Sequence, residues 1–268
     1  GKRWNDRKLR TYLITYRANL HNNTTLSENT VNRYMQLVKT FYSHFDIEVG
    51  KLPSYTSKSV RKNEVITADD IPSKADIVLG MDLAPNTVMI ALIHFMSCTG
   101  LAQVDALSLS VKDFVKACDD YYTSNSTNDI IDYLSTSDDV VPTFHLKRRK
   151  TGKYFYTFAT SEAVNSVAVY LKTRDSLVLR DKLFKISKNY CFTLFRNINE
   201  AMGKEKKNGF SLFRSHMLRK FQAKQLYDSG MSVDDIDALQ GRSKDKTHEA
   251  YFINDPGELK KKYVEHMN

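Results

Sequence analysis

Two residues one helical turn apart open the most chemically loaded stretch of this chain. His216 and Arg219 stand in the run Ser215-His216-Met217-Leu218-Arg219. A spacing of three puts both side chains on one helix face. A guanidinium there can hold two oxygens of a phosphate through paired N–H donors. An imidazole beside it can take or give a proton. The helix continues through Lys220, Phe221, Ala223 and Leu226 and breaks at Ser229-Gly230. A second short helix starts at Ser232 and ends at Gly241-Arg242. Tyr251 follows nine residues after Arg242, so a phenol returns toward the His/Arg face after a helical hairpin. An anion clamp, a proton carrier and a phenolic nucleophile, in that order, suit attack on a phosphodiester.

The rest of the chain must position these groups. It has 268 residues, of which 41% are hydrophobic, enough for two small domains with a buried core. No apolar run approaches the roughly 18 residues of a membrane helix. The start, GKRWNDRKLR, carries no apolar signal segment and reads as a cut point, upstream of which a further domain could lie. Cys98, Cys118 and Cys191 lie far apart and match no metal or disulfide spacing. A reducing cytoplasm fits that usage. There is no Asp/Glu/His cluster with metal-ligand spacing and no Gly-rich phosphate loop, so neither a metal nor a cofactor is expected. The net charge of +9 is uneven: residues 1–64 hold 12 Lys/Arg against 5 Asp/Glu, and the remainder holds 28 against 26. A basic first segment on a nearly balanced body suits a polyanionic partner.

In chain order, apolar residues Leu9, Tyr12, Leu13, Tyr16 and Leu20 mark a helix over 5–20. Ser27 can cap a second helix bearing Val31, Tyr34, Met35 and Val38, with Arg33 and Lys39 between them. Residues 50–66 read as a basic linker that includes Lys58 and Arg61. Thr67-Ala68-Asp69-Asp70 looks like a helix start. The apolar run from Asn86 to Thr99 predicts a buried helix ending at Gly100. Residues 119–140 carry six acids and no Lys or Arg, which reads as an inserted loop with a short helix at Ile130 to Leu134. Residues 140–158 alternate into a β-hairpin turning at Thr151-Gly152. Five of the ten residues from Phe144 to Lys153 are Lys or Arg, including Lys147, Arg148, Lys150 and Lys153. Helices follow at 161–175 and 190–202, then an exposed loop at 203–209. Pro256-Gly257 is a break before a last helix.

The order of these pieces resembles the tyrosine recombinase (integrase) family. Thr99-Gly100-Leu101 with Leu107 and Leu109, a basic hairpin with Lys150, His-x-Leu-Arg, Leu239-Gln240-Gly241-Arg242, and a tyrosine nine positions on carry the resemblance. It spans essentially the whole chain. It implies a mainly α fold with a small antiparallel β-sheet, whose first strand falls near Val111 to Phe114. A helical core-binding domain would occupy 1–50, a linker 51–66, and a mixed α/β catalytic domain 67–268 with a tail helix at 258–268. Tyr251 would be the nucleophile, Arg219 and His216 the partners of the phosphate, and Lys150 the donor to the departing 5′ oxygen. Arg242 falls where the family has His or Trp; it could bind phosphate or merely cap its helix. Arg33, Lys39, Lys58, Arg61, Lys147, Arg148 and Lys153 would contact double-stranded DNA. The implied setting is a mobile element's integrase, cytoplasmic and nucleoid-associated, forming dimers or tetramers on DNA through its tail. A type IB topoisomerase-like enzyme and a non-cutting DNA-binding protein are the rivals.

One departure matters. The family's first catalytic arginine falls at Ala102, while Asp105, one turn on, could orient a guanidinium there. Ala102 could be an introduced, inactivating change, a natural loss of cutting, or a gap filled by Arg148 or Lys147. Retention of Lys150, His216, Arg219 and Tyr251 favours the first over the second.

Overall fold

A computed structural model describes residues 6–22, 26–53, 64–124, 126–242 and 255–267. The chain divides into two compact units, Gly1–Val65 and Ile66–Asn268.

The first unit is a helical pair, α1 (Asp6–Asn22) and α2 (Glu28–His44). As its sequence predicts, α2 starts at Ser27, whose hydroxyl accepts a hydrogen bond from the Thr30 N–H at 3.3 Å. Leu9, Leu13, Val31, Met35 and Leu52 form its small core. Arg17 donates to the Pro53 carbonyl at 2.6 Å and ties down the chain leaving the pair. Arg33 is exposed on α2 and Lys39 half-buried. Lys58 and Arg61 lie outside the described residues.

The second unit is built around α4 (Thr87–Thr99). Asn86 caps its start, and Gly100 ends it in the left-handed conformation at φ 62°. Met89, Leu92, Ile93, Phe95 and Met96 are fully buried, because α4 is surrounded by α3 (Lys74–Asp82), α8 (Ser161–Lys172) and α10 (Ser215–Asp228). A one-turn helix, α5 (Gln103–Ala106), follows at once. The expected hairpin is present: β1 (Thr143–Lys147) pairs antiparallel with β2 (Tyr154–Phe158), Thr143 opposite Phe158 and Lys147 opposite Tyr154. Its inner face packs Phe144 edge-on against Phe95. After α9 (Lys188–Ala201) and α10 comes α11 (Val233–Leu239), capped by Ser232 as its sequence suggests.

Four segments differ from expectation. Val111 to Phe114 is not a strand but the start of α6 (Val111–Ala117). Ser110 and Asp113 cap each other's backbone N–H groups, a reciprocal pair that fixes a helix start. Within the acidic stretch the expected short helix is present as α7 (Thr127–Leu134), but it starts earlier and buries Ile130, Ile131 and Leu134 against α8, so the stretch is packed instead of being a free loop. The 203–209 loop contains a tight hairpin, β3 (Lys206–Lys207) with β4 (Phe210–Ser211), turning through Asn208 and Gly209 at φ 55° and 77°. The last helix, α12 (Pro256–Met267), begins at Pro256 itself, a residue suited to the first helical position.

That tail packs on its own domain. Leu259, Tyr263 and Met267 are buried against α10 and β2, and the Tyr263 hydroxyl donates to the Cys98 carbonyl at 3.1 Å. Its apolar face is therefore already covered within the chain. Among the described residues, no helix is long and apolar enough to cross a membrane.

Candidate active site

Arg219 is the fixed point of the site. It is 5% exposed, inside α10. Its Nη1 donates to the Gly100 carbonyl and its Nη2 to the Gln240 carbonyl, both at 2.5 Å. The guanidinium thus bridges the turn after α4 and the turn after α11. Gln240 reinforces the bridge: its Nε2 donates to the Arg219 carbonyl at 2.9 Å and to Gln222 Oε1 at 2.6 Å. Gln222 and Gln240 are fully buried. Glycine at 100 is required twice, for its positive φ and because a Cβ would sit 2.5 Å from Gln222 Oε1. Gly241 is similar, at φ 57° with the Phe155 ring 2.7 Å from a would-be Cβ. Burial, then the nearby cations Arg148 and Arg242, lower the Arg219 pKa to about 10, with Asp105 and Asp237 acting the other way. It still carries its charge at neutral pH.

His216 lies one turn before Arg219, at the exposed start of α10. Desolvation of its ring, then Lys220, Arg214, Arg219 and Arg242 around it, lower its pKa from 6.5. The imidazole is therefore neutral near pH 7 and free to accept a proton. Cleavage that uses it as a base should show an acid limb centred below pH 6.5, as the ring protonates. A pH–rate profile whose acid limb centres above 6.5 would contradict that role.

The basic hairpin meets this site at its turn. The Arg148 N–H donates to the Lys153 carbonyl at 2.8 Å and closes the turn. Arg148 Nη1 donates to the Gly241 carbonyl at 2.7 Å. The Arg149 N–H donates to Asp105 Oδ1 at 3.1 Å. Asp105 thus ties the hairpin backbone to α5 through one of its two carboxylate oxygens. Lys150 is exposed two residues beyond Arg148, and among the described residues its ammonium has no hydrogen-bond or ion-pair partner. Lys147 points elsewhere, with its Nζ 5.3 Å from the Tyr154 ring centre. Lys153 is half-buried at the far end of the turn. Ala102 caps α5 without a side-chain bond, half-buried, two residues past the carbonyl that Arg219 holds.

Arg242 is exposed and bound to Asp237 on α11: Nη1 meets Oδ1 at 3.1 Å, and its N–H meets the Asp237 carbonyl at 2.8 Å. It finishes the helix, yet lies near enough to lower the pKa of both His216 and Arg219. Tyr251 lies outside the described residues. Its rivals fare differently. Tyr263 is 1% exposed, hydrogen-bonded, and its phenol is pushed well above the ordinary value by burial. Tyr227 is 61% exposed but sits eight residues beyond Arg219, ~12 Å along the helix axis. The thiols offer no alternative nucleophile, since burial raises Cys98 and Cys191 to about 11 and Cys118 to about 12. Among the described residues, no group of three His, Cys, Asp or Glu side chains is placed to hold a metal ion.

Sequence reasoning missed Gln222, Gln240 and Asp237. A trace of the first was available: Gln222 stands one turn after Arg219, between Phe221 and Ala223 on a packed helix.

No curated protein sequence matches the chain. Among solved structures, the XerH site-specific recombinase bound to difH substrate, in a pre-cleavage complex, superposes with a TM-score of 0.58 at 18% identity. That match covers 97% of this chain and 70% of the other. The Tn1549 transposon integrase (aa 82-397), in complex with circular intermediate DNA, gives 0.54 at 13% identity, over 96% and 86%. These likenesses establish the fold. The profile of the phage integrase family matches residues 84–257, which span the turn after α4, the basic hairpin and the His216–Arg219 helix. The chain belongs to the phage integrase family, the tyrosine recombinases.

Proposed function

We propose that the chain is a site-specific recombinase or integrase that cuts and rejoins duplex DNA through a 3′-phosphotyrosyl bond, slowed by alanine at position 102. The observation that carries this reading is the buried, doubly anchored Arg219 with a neutral imidazole one turn away. Such a clamp needs no reorganisation when negative charge develops on a phosphate. In the proposed step the Tyr251 oxygen attacks the scissile phosphorus and its proton passes to His216. The bond to the 5′ oxygen breaks, and Lys150 protonates that oxygen as it leaves. A 5′-hydroxyl from a partner strand reverses the sequence, so the bond energy is retained. Arg219 holds the non-bridging oxygens throughout. DNA as the ligand draws support from the DNA complexes of the XerH recombinase and the Tn1549 integrase. Assembly of several copies on DNA is part of the same proposal; the tail would have to leave its own domain to serve a second copy.

Covalent capture on nicked duplex DNA tests the reading, in the protein as it stands and after Ala102→Arg. A covalent adduct in the Ala102→Arg protein is expected. Ala102 is what favours the rival reading of a non-cutting DNA-binding protein. Tight binding with no adduct from either protein would establish that rival. Plasmid relaxation without strand exchange would point to the topoisomerase-like alternative.

Binding itself should depend steeply on salt. A protein neutralising ~6–10 phosphates loses about 10³–10⁵ in affinity between 50 and 200 mM salt. Arg33→Ala with Lys39→Ala should lower the salt slope by about one per residue, roughly two together. Asp138→Asn with Asp139→Asn, on the exposed acidic stretch, should leave the slope alone. Equal effects from the two pairs would show that α2 does not face the DNA.

A further inference from the structure

We infer that Arg148 binds the scissile phosphate in place of the cation missing at Ala102. This rests on the reading of the site given above. Two guanidinium groups meet the same turn from different elements. Arg219 donates to the carbonyl of Gln240 and Arg148 to the carbonyl of the next residue, Gly241. Carbonyls of successive residues are neighbours, so the two cations are held side by side. The hairpin that brings Arg148 there is fastened to the Ala102 turn itself. Arg149 donates its N–H to Asp105, and Asp105 in turn donates its own N–H to the Ala102 carbonyl at 2.9 Å. Among the described residues Arg148 has no carboxylate partner, and its bond to Gly241 uses one of five guanidinium donors. Arg219 likewise uses two.

Asp105 and Asp237 offset part of the charge around Arg219, but among the described residues neither carboxylate is hydrogen-bonded to either guanidinium, and a bound anion would relieve the repulsion that remains. Among the charges around Arg219, Arg148 acts most strongly to lower its pKa, as close neighbours should. Lys147, the other candidate cation on the hairpin, lies over the Tyr154 ring instead. Arg148 is half-buried, so a ligand can reach it, and desolvation strengthens its hold on an anion. An arginine placed at 102 would approach the phosphate from the α5 side. Arg148 approaches from the hairpin side and replaces part of that charge.

Orthovanadate, which mimics a five-coordinate phosphate and needs no knowledge of the target sequence, is the probe. Its affinity is measured by titration in four proteins: the chain as it stands, Arg148→Gln, Ala102→Arg, and the double variant. Glutamine removes the charge and, being two bonds shorter, also the bond to the Gly241 carbonyl, so the comparison between the two backgrounds at 102 separates charge from anchoring. Thermal melts confirm that each variant folds, and Arg148→Lys, which restores charge without the fork, should recover part of the binding. Arg148→Gln should weaken orthovanadate about tenfold when residue 102 is alanine, the scale of one lost charged hydrogen bond. With arginine at 102 the same change should cost less than about twofold, since the two cations serve one anion. An equal loss in both backgrounds would assign Arg148 to structure alone. No loss with alanine at 102, or no orthovanadate binding by the unaltered chain, would overturn the inference. None of these outcomes depends on adduct formation, so failure here and failure of the recombinase reading are separable.

Discussion

Tyr251→Phe should abolish the covalent protein–DNA adduct and leave duplex affinity nearly intact. Phenylalanine keeps the ring and removes only the oxygen that would attack phosphorus. The binding groups named here, Arg33, Lys39 and the hairpin cations, are untouched. The test belongs in the Ala102→Arg background, where cutting should be fastest. Tyr227→Phe and Tyr263→Phe are the controls. Tyr227 is exposed far down α10, so its variant should behave as the parent. Tyr263→Phe loses a buried hydrogen bond to the Cys98 carbonyl, worth about 1 kcal/mol of stability, without touching the chemistry. An adduct that persists in Tyr251→Phe would remove the nucleophile assignment and turn attention to Tyr227.

Ala102→Arg should raise the rate of cleavage by about 10² or more with little change in DNA affinity. Losing one preorganised donor to a developing oxyanion typically costs about 10²–10³ in rate, roughly 3–4 kcal/mol. Ala102 stands two residues past Gly100, whose carbonyl Arg219 grips, so an added guanidinium would start beside the clamp. Asp105 Oδ1 accepts from the Arg149 N–H, which leaves Oδ2 to orient the added guanidinium. Arg148 already supplies part of the charge, which holds the gain near the lower end of that range. Single-turnover adduct formation on a nicked substrate, with affinity measured in parallel, gives both quantities. Normal binding with no gain in cleavage would mean that position 102 is not the impaired element.

Much of this fold was legible in the sequence because its punctuation is strong. Ser27, Asn86 and Ser232 cap helices where their side chains suggest. Gly100 and Ser229-Gly230 end helices on schedule, and Thr151-Gly152 turns the basic hairpin. Val111 to Phe114 misled because the family resemblance placed a strand there, whereas the Ser110/Asp113 reciprocal cap decides for helix. Residues 119–140 read as a loop around a short helix because acids and hydroxyls dominate, and the helix is there, but its packing was not foreseen. Three apolar residues on one face were enough to dock α7. The strands flanking Asn208-Gly209 are two residues each, too short for any periodicity to reveal.

The site divides in the same way. His216 and Arg219 announce themselves by spacing. What holds Arg219 does not, since its acceptors are backbone carbonyls of Gly100 and Gln240, groups that every residue carries. The amide side chains of Gln222 and Gln240 do not by their type announce that packing encloses them fully. The tail helix was legible as a helix, but not its docking against α10 and β2, which depends on where Tyr263 finds its partner.

The most direct measurement is the identity of the residue that becomes attached to DNA. The Ala102→Arg protein is trapped on nicked duplex DNA, digested with protease and nuclease, and the nucleotide-bearing peptide is sequenced by mass spectrometry. A single 3′-phosphotyrosyl linkage at Tyr251 is the expected result. A linkage on any other residue, or tight binding with no linkage at all, would contradict the assignment of this chain as a DNA-cutting recombinase that uses Tyr251.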